Sequence, residues 1–275
     1  MIYRRKDLKM KACFKILPVF LLFYGCAETQ KPDFSPRQAH LKIVTYNVNW
    51  GFINPDKVAR YLATENADIV CLQETHRYWK ESLNKKLSRL YPYGKFREWG
   101  KAGGIAIISK YELQDANLIE PNDNWFPAFF ASVDTPVGKI QILNVHLKPP
   151  LSDEGKVSVG AYLKAGDAHS MELDWFLRRT DPNQPMIILG DFNGNEKDKA
   201  IRRLIEAGWT DALSTYDKKS NTWEWKTSAG LEVKNRYDHI LYNRFLDCTG
   251  AKVTDTDGSD HLPVTAVIVQ KQVVK

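Results

Sequence analysis

Apolar runs in this 275-residue chain end repeatedly in acids, amides or a histidine. Asn47 closes Ile43-Val44-Thr45-Tyr46, and Glu74 follows Ile69-Val70-Cys71-Leu72-Gln73. His146 follows Ile142-Leu143-Asn144-Val145, while Asp191 and Asn193 follow Met186-Ile187-Ile188-Leu189-Gly190. Short runs of this kind fit strands buried in a sheet. Four strands would thus deliver these groups near their C-terminal ends, where open α/β sheets bind ligands. Carboxylates desolvated there without partners would be costly, so a cation held by oxygen ligands is a natural compensation. Each residue has an ordinary alternative: a turn asparagine for Asn47, a solvated charge for Glu74, a helix cap for Asp191-Phe192-Asn193. The alternatives are reasonable singly and together require many coincidences.

The elements that must position these groups follow from periodicity. Strands are expected at 43–48, 69–72, 104–109, 128–133, 139–145, 186–189, 236–242 and 263–269, with a hairpin turn at Pro136-Val137-Gly138. Helices are expected after Asn54-Pro55-Asp56, over 78–90, over 162–179, and after the 186–189 strand with Ile201, Leu204 and Ile205 on one face. Early alternation of strands and helices with a meander in the middle favours an α/β sandwich with mixed sheets over a purely parallel fold.

The formal net charge of +6 comes mostly from the N-terminal segment. Residues 1–26 carry Arg4, Arg5, Lys6, Lys9, Lys11 and Lys15 against Asp7, and without them 33 basic side chains face 32 acidic ones. No strongly basic nucleic-acid footprint is therefore visible at the level of composition. The basic stretch precedes the apolar run Ile16–Gly25, which is shorter than the ~20 residues that span a bilayer and fits an export signal. Gly25-Cys26 resembles a bacterial lipoprotein processing site, so lipidation at Cys26 and a membrane-anchored protein facing periplasm or exterior are expected. Ordinary secretion is the alternative, and Met10 could be the true start. Residues 27–40 read as a polar tether, and the catalytic domain as 41–275 with its fold ending near Val269. The cysteines make no disulfide framework and no metal-ligand spacing, and Cys71 reads as a buried thiol.

Six segments, in order, resemble the successive motifs of the endonuclease/exonuclease/phosphatase (DNase I-like) family. They are Thr45-Tyr46-Asn47-Val48-Asn49, Leu72-Gln73-Glu74-Thr75, Asn144-Val145-His146-Leu147-Lys148, Gly190-Asp191-Phe192-Asn193, Arg236-Tyr237-Asp238-His239-Ile240 and Ser259-Asp260-His261-Leu262-Pro263-Val264. The resemblance implies a four-layer α/β sandwich of two packed mixed sheets flanked by helices, and a metal-dependent phosphoesterase. It implies that Glu74 holds Mg²⁺ or Mn²⁺, with Asn47 assisting through its amide oxygen and Asp260 supporting the metal side. His261 would be the general base or a phosphate-binding imidazolium, with Asp238 on its other ring nitrogen. Asp191 would orient or activate water, Asn193 would donate to the transition state, and His146 would bind a phosphate oxygen or help the leaving group.

His239, next to Asp238 on a strand, should point to the opposite face and be structural. His40 and His169 lack motif support, and His76 would only line the entrance. His146 stands where abasic-site endonucleases of the family usually carry a tyrosine, which argues against abasic-site repair. Lys148, Trp223, Trp225, Lys226, Lys234 and Arg236 could line a groove, since aromatics with cations suit nucleic-acid stacking. The substrate expected is a phosphodiester, with nucleic acid narrowly ahead of phospholipid, and a monomer is expected. The alternatives are an exported sphingomyelinase-like phosphodiesterase, a phosphatase of soluble esters, and a non-catalytic binding module on the same fold.

Overall fold

A computed structural model describes residues 38–272 except 52–53, 123–124, 151–158, 227–229 and 231. Gln38–Lys275 forms one compact unit. The expected export signal, Cys26 and nearly all of the tether lie outside the described residues.

The elements run β1 (His40–Asn47), α1 (Pro55–Glu65), β2 (Ile69–Gln73), α2 (Arg77–Leu87), β3 (Tyr93–Arg97), β4 (Ile105–Ser109), β5 (Leu113–Ile119), β6 (Ala128–Thr135) and β7 (Gly138–His146). They continue with α3 (Val159–Leu177), β8 (Met186–Asp191), α4 (Lys199–Glu206), β9 (Thr210–Asp211), α5 (Ala212–Tyr216), β10 (Trp223–Lys226), β11 (Glu232–Asn235), β12 (Asp238–Tyr242), β13 (Leu246–Val253) and β14 (Val264–Gln270). One six-stranded sheet has the order β13-β14-β1-β2-β4-β3, the other β5-β6-β7-β8-β12-β9, and β10-β11 is a separate ribbon. The parallel neighbours are β1 with β2 and β7 with β8.

The inner core lies between the sheets, where Ile43, Ile69, Ile107, Phe129, Ile142, Ile187, Ile240 and Ala266 are all fully buried. Val58 and Leu62 of α1 and Trp79 and Leu83 of α2 cover the outer face of the first sheet. Leu173 and Phe176 of α3 and Ala200, Ile201 and Leu204 of α4 cover the second. This is the expected four-layer sandwich. Local chemistry agrees with it: the Asn54 side chain caps α1 by accepting from Lys57 N, Pro55 needs no donor at the first turn, and Asn66 ends the helix at φ 51°.

The strands β3, β5 and β13 were not foreseen, because their half-exposed faces break the apolar runs that flag buried strands. Helix α4 is turned relative to expectation. Asp198 caps it, Ala200 joins Ile201 and Leu204 in the buried stripe, and Ile205 is exposed.

A polar clasp joins the sheets beneath the strand ends. Asn144 on β7 donates to Leu72 O at 3.1 Å and Ala106 O at 2.9 Å, and accepts from Gln73 Nε2 at 2.7 Å. Gln73 Nε2 also donates to Thr45 Oγ1 at 3.0 Å. The amides that interrupt two apolar runs in the sequence thus lock the two sheets in register.

Candidate active site

Strand register gathers the chemistry. His146 and Asp191 are direct partners across β7 and β8, and Asp191 and Asp238 are direct partners across β8 and β12. Gly190 makes the close approach possible: it has φ 145°, and a Cβ there would lie 1.9 Å from Val145 O. Among the described residues, five non-glycines have positive φ, and three of them, Asn49, Glu74 and Asn193, stand at this rim. Backbone held in this sparsely populated region commonly marks functional sites.

Asp238 Oδ2 lies 2.9 Å from His261 Nδ1. The Nε2 atom of His261 is 3.7 Å from Asp191 Oδ2, and that of His146 is 3.6 Å from the same oxygen. Asn47 Nδ2 bridges the sheets by donating to Glu74 Oε1 and Asp191 Oδ2, each at 3.0 Å. Asn193 N donates to Asp191 Oδ1 at 2.8 Å. Trp50 N donates to Glu74 Oε2 at 2.9 Å. Asp260 accepts from Asn49 Nδ2 at 2.7 Å and Trp223 Nε1 at 3.2 Å. His146 stacks on Phe126, centroid to centroid 4.2 Å.

Burial and neighbours divide the charge states. Burial opposes the charged form of His261, but the Asp238 and Asp191 carboxylates outweigh it and push the ring up to about 10. Burial, together with the positive charge of His261, pushes His146 down to about 3. The Asp191 carboxyl is raised, chiefly by burial and further by Asp238, against the opposing pull of His261. Burial also raises Glu74, against hydrogen bonds from Trp50 and Asn47.

The residues fit a hard divalent cation. Ligand atoms of Asp191, Asp238 and His261 lie within 4.8 Å of one another. Asp238 Oδ1 is buried without a hydrogen-bond partner. Four carboxyl groups, Glu74, Asp191, Asp238 and Asp260, converge on one cationic ring, an excess of negative charge that a cation would balance. Glu74 would hold it, with Asp191 beside it through their shared donor Asn47. The Asn47 amide oxygen accepts from Asn49 N at 3.0 Å, and its NH₂ faces the Glu74 and Asp191 carboxylates.

Other expected residues divide. Trp223 borders the centre, pairing with His261 in a β-bridge. Lys148 holds its ammonium 4.8 Å above the Trp125 ring. Arg236 is not available to substrate: it is buried and donates to Asp217 O at 2.6 Å and to Ser220 O at 2.9 and 3.1 Å, loop carbonyls that take up its donors. Lys234 is paired with Glu224 and Glu232. Trp225 is exposed and stacked beside Trp223, and the Lys226 side chain lies outside the described residues. Asn193 donates its amide to Leu147 O at 2.9 Å as well as flanking Asp191. His76 caps α2, accepting from Tyr78 N.

Two histidines brace the loop that follows β8. His239 faces away from the centre, as expected, with Nδ1 3.1 Å from Asp211 Oδ2 and Nε2 3.0 Å from Gly194 O. His169 lies 2.9 Å from Asp198 Oδ2 and 2.7 Å from Lys148 O. Both partners of each ring can only accept, so each ring donates twice and is an imidazolium. The carboxylates Asp198 and Asp211, and with them the role of His169, carry no local sequence signal. Their partners lie 29 and 28 residues away. Phe126 and Trp125 were missed for the same reason.

A four-layer sandwich with carboxylates and histidines converging at its strand ends defines a phosphoester hydrolase of the DNase I type. The sequence profile of the Endonuclease/Exonuclease/phosphatase family matches residues 44–261, and the chain belongs to that family. An exodeoxyribonuclease of Bacillus subtilis (strain 168) is 22% identical over 272 residues, covering 83% of this chain and 99% of that protein. The fold is shared with an endonuclease/exonuclease/phosphatase from Beutenbergia cavernae DSM 12333 at TM-score 0.69 and 16% identity, covering 85% of this chain and 72% of that one. It is also shared with D. rerio TDP2 complexed with single-strand DNA product, at TM-score 0.65 and 18% identity, covering 83% and 98%.

Proposed function

We propose that this protein hydrolyses phosphodiesters of nucleic acid in a reaction that depends on Mg²⁺ or Mn²⁺. The observation that carries the reading is the convergence of His146 and His261 on Asp191 Oδ2, with Asp238 behind His261 and Glu74 beside it. A bound cation would supply charge neutralisation at the phosphate.

The imidazolium of His261, held by Asp238, donates from Nε2 to a phosphate oxygen as negative charge develops. Of its two expected roles, its charge state supports this one over general base. Asp191, with its raised carboxyl, accepts the proton of the attacking water. His146 is neutral and contributes a hydrogen bond to phosphate or leaving group without repelling the first imidazolium. Asn47 holds Asp191 and Glu74 at a fixed separation. A nucleic-acid substrate is supported by the exodeoxyribonuclease relative and by the DNA product bound to the TDP2 relative.

Assay of the purified protein with Mg²⁺ or Mn²⁺ against plasmid DNA, single-stranded DNA, RNA, sphingomyelin, inositol phosphates and bis-p-nitrophenyl phosphate tests this. Cleavage of DNA or RNA at rates above the lipid and monoester arms is expected, and preference for sphingomyelin or a soluble monoester overturns the reading. Export and lipidation at Cys26 are a separate proposal, supported by the Gly25-Cys26 junction after an apolar run. Mass spectrometry of the mature N-terminus decides it: an unmodified residue other than Cys26 there means ordinary secretion.

A further inference from the structure

A cavity of about 340 Å³ lies at the loop that follows β8, and Asn193 forms part of its wall. Asn193 is also the residue whose backbone N–H holds Asp191 Oδ1, which ties the cavity wall to the β8 end of the site. Its charged lining consists of Lys197, Lys199 and Arg202 with Asp167 and Asp198. The acids are already matched: Asp167 pairs with Lys199 at 2.5 Å, and Asp198 with the His169 imidazolium at 2.9 Å. Lys197 and Arg202 have no ion pair among the described residues. Two uncompensated cations in a concave wall, on a domain whose charge is otherwise near balance, create a local positive field.

The wall is built in advance. The 193–198 loop is fixed near one end by His239 Nε2 on Gly194 O and at the other by His169 on Asp198. Gly194 lets the loop fold tightly, since a Cβ there would lie 2.7 Å from the Asp198 carboxylate. Binding on such a surface loses little to ordering. Arginine matches phosphate with a planar fork of donors, and lysine adds a point charge.

We infer that Lys197 and Arg202 bind the phosphodiester that neighbours the scissile one in the same strand, so that this face is a subsite for a polymeric substrate. The inference rests on the nucleic-acid reading and deepens it. A phospholipid or a soluble phosphate monoester has no second backbone phosphate to place there.

The test is fluorescence anisotropy with a labelled single-stranded 12-mer DNA in EDTA, over a series of salt concentrations. Wild type is compared with Lys197→Glu/Arg202→Glu, with the milder Lys197→Gln/Arg202→Gln, and with Lys80→Glu/Lys85→Glu on the solvent face of α2 as a charge-matched control. The glutamate pair should weaken binding about tenfold at low salt, and losing two phosphate contacts should flatten the log–log salt slope by about 1.4. The glutamine pair should flatten it similarly, and the control should keep the wild-type slope. In kinetics, the ratio of kcat/KM for the 12-mer to that for bis-p-nitrophenyl phosphate should fall by the same factor. If wild type cleaves DNA but the glutamate pair keeps the wild-type Kd and slope, the subsite is wrong and the nucleic-acid reading stands. If wild type neither binds nor cleaves nucleic acid while hydrolysing another ester, the nucleic-acid reading fails and the subsite falls with it.

Discussion

His146 and His261 aim their Nε2 atoms at the same oxygen of Asp191, from 3.6 and 3.7 Å, yet their surroundings favour the neutral ring for the first and the imidazolium for the second. Only His261 has carboxylate support on its far nitrogen, from Asp238 at 2.9 Å. The Nδ1 of His146 is buried without an ordinary hydrogen bond, and its ring lies flat against Phe126. Environments that drive two like groups apart are how one site separates its proton-transfer roles.

That division makes stability depend on pH in a calculable direction. His261 rises from an unfolded value of roughly 6.5 to about 10 in the folded protein. Its contribution is therefore complete below the unfolded value and is lost as pH climbs through the folded one. Urea unfolding in EDTA should show wild type losing stability relative to His261→Asn between pH 7 and 10, by on the order of a few kcal/mol. His146, lowered to about 3, behaves inversely: its contribution is present above about 6.5 and is lost as pH falls toward 3. A pH-independent difference between wild type and His261→Asn would mean that the ring is not held protonated.

Asp238 and His261 should act as a unit in catalysis. Asp238→Asn and His261→Ala are each expected to cost about 10²–10⁴ in kcat while the protein stays folded. The double variant should be hardly slower than either single one, because the second substitution removes a partner already disabled. Additive losses in the kinetic cycle would refute the coupling.

Much of this site was legible because it is carried by strand ends. Asn47, Glu74, His146 and Asp191 each follow an apolar run, and runs of that kind are what periodicity detects. The opposite orientations of Asp238 and His239 followed from strand alternation alone. What stayed hidden depended on tertiary placement. Arg236 looked like a substrate cation beside a motif, but the carbonyls of Asp217 and Ser220 come back to it from about 16 to 19 residues away and consume its donors. Phe126 sits in a polar, proline-bearing connection with no periodicity, so nothing local marks it as the platform for His146. The ribbon β10–β11 escaped because its strands are only four residues long, even though Trp223-Glu224-Trp225-Lys226 alternates, and β3 and β13 escaped because half-exposed faces break their apolar runs.

Asn144 should prove a stability residue rather than a catalytic one. It makes hydrogen bonds to Leu72 O and Ala106 O and accepts from Gln73, all buried. Asn144→Leu removes three buried hydrogen bonds across the sheets, although Gln73 keeps Thr45 and the two carbonyls keep their place in the β2–β4 ladder. A loss of about 1–3 kcal/mol in urea unfolding is expected, with kcat preserved at temperatures where the protein is folded. A stability change within about 0.5 kcal/mol would show that the clasp does not hold the sheets.

Removal of the cation separates structure from chemistry at Glu74. The carboxylate is largely buried, raised by that burial, and held by Asn47 Nδ2 and Trp50 N. Glutamine keeps the shape and one acceptor, so Glu74→Gln removes the charge and leaves either Asn47 Nδ2 or Trp50 N facing an NH₂ group. Excess EDTA should abolish activity of wild type, and Mn²⁺ or Mg²⁺ should restore it. Ion binding to the folded state raises the apparent Tm by mass action, about 2.7 kcal/mol of stabilisation at one hundred times Kd. Wild type should show that rise in a thermal-shift titration. Glu74→Gln should need at least tenfold more cation for the same rise, and its activity should recover only at those higher concentrations. Identical titration curves for the two proteins would place the cation away from Glu74, and full activity in excess chelator would remove the metal from the proposed reaction.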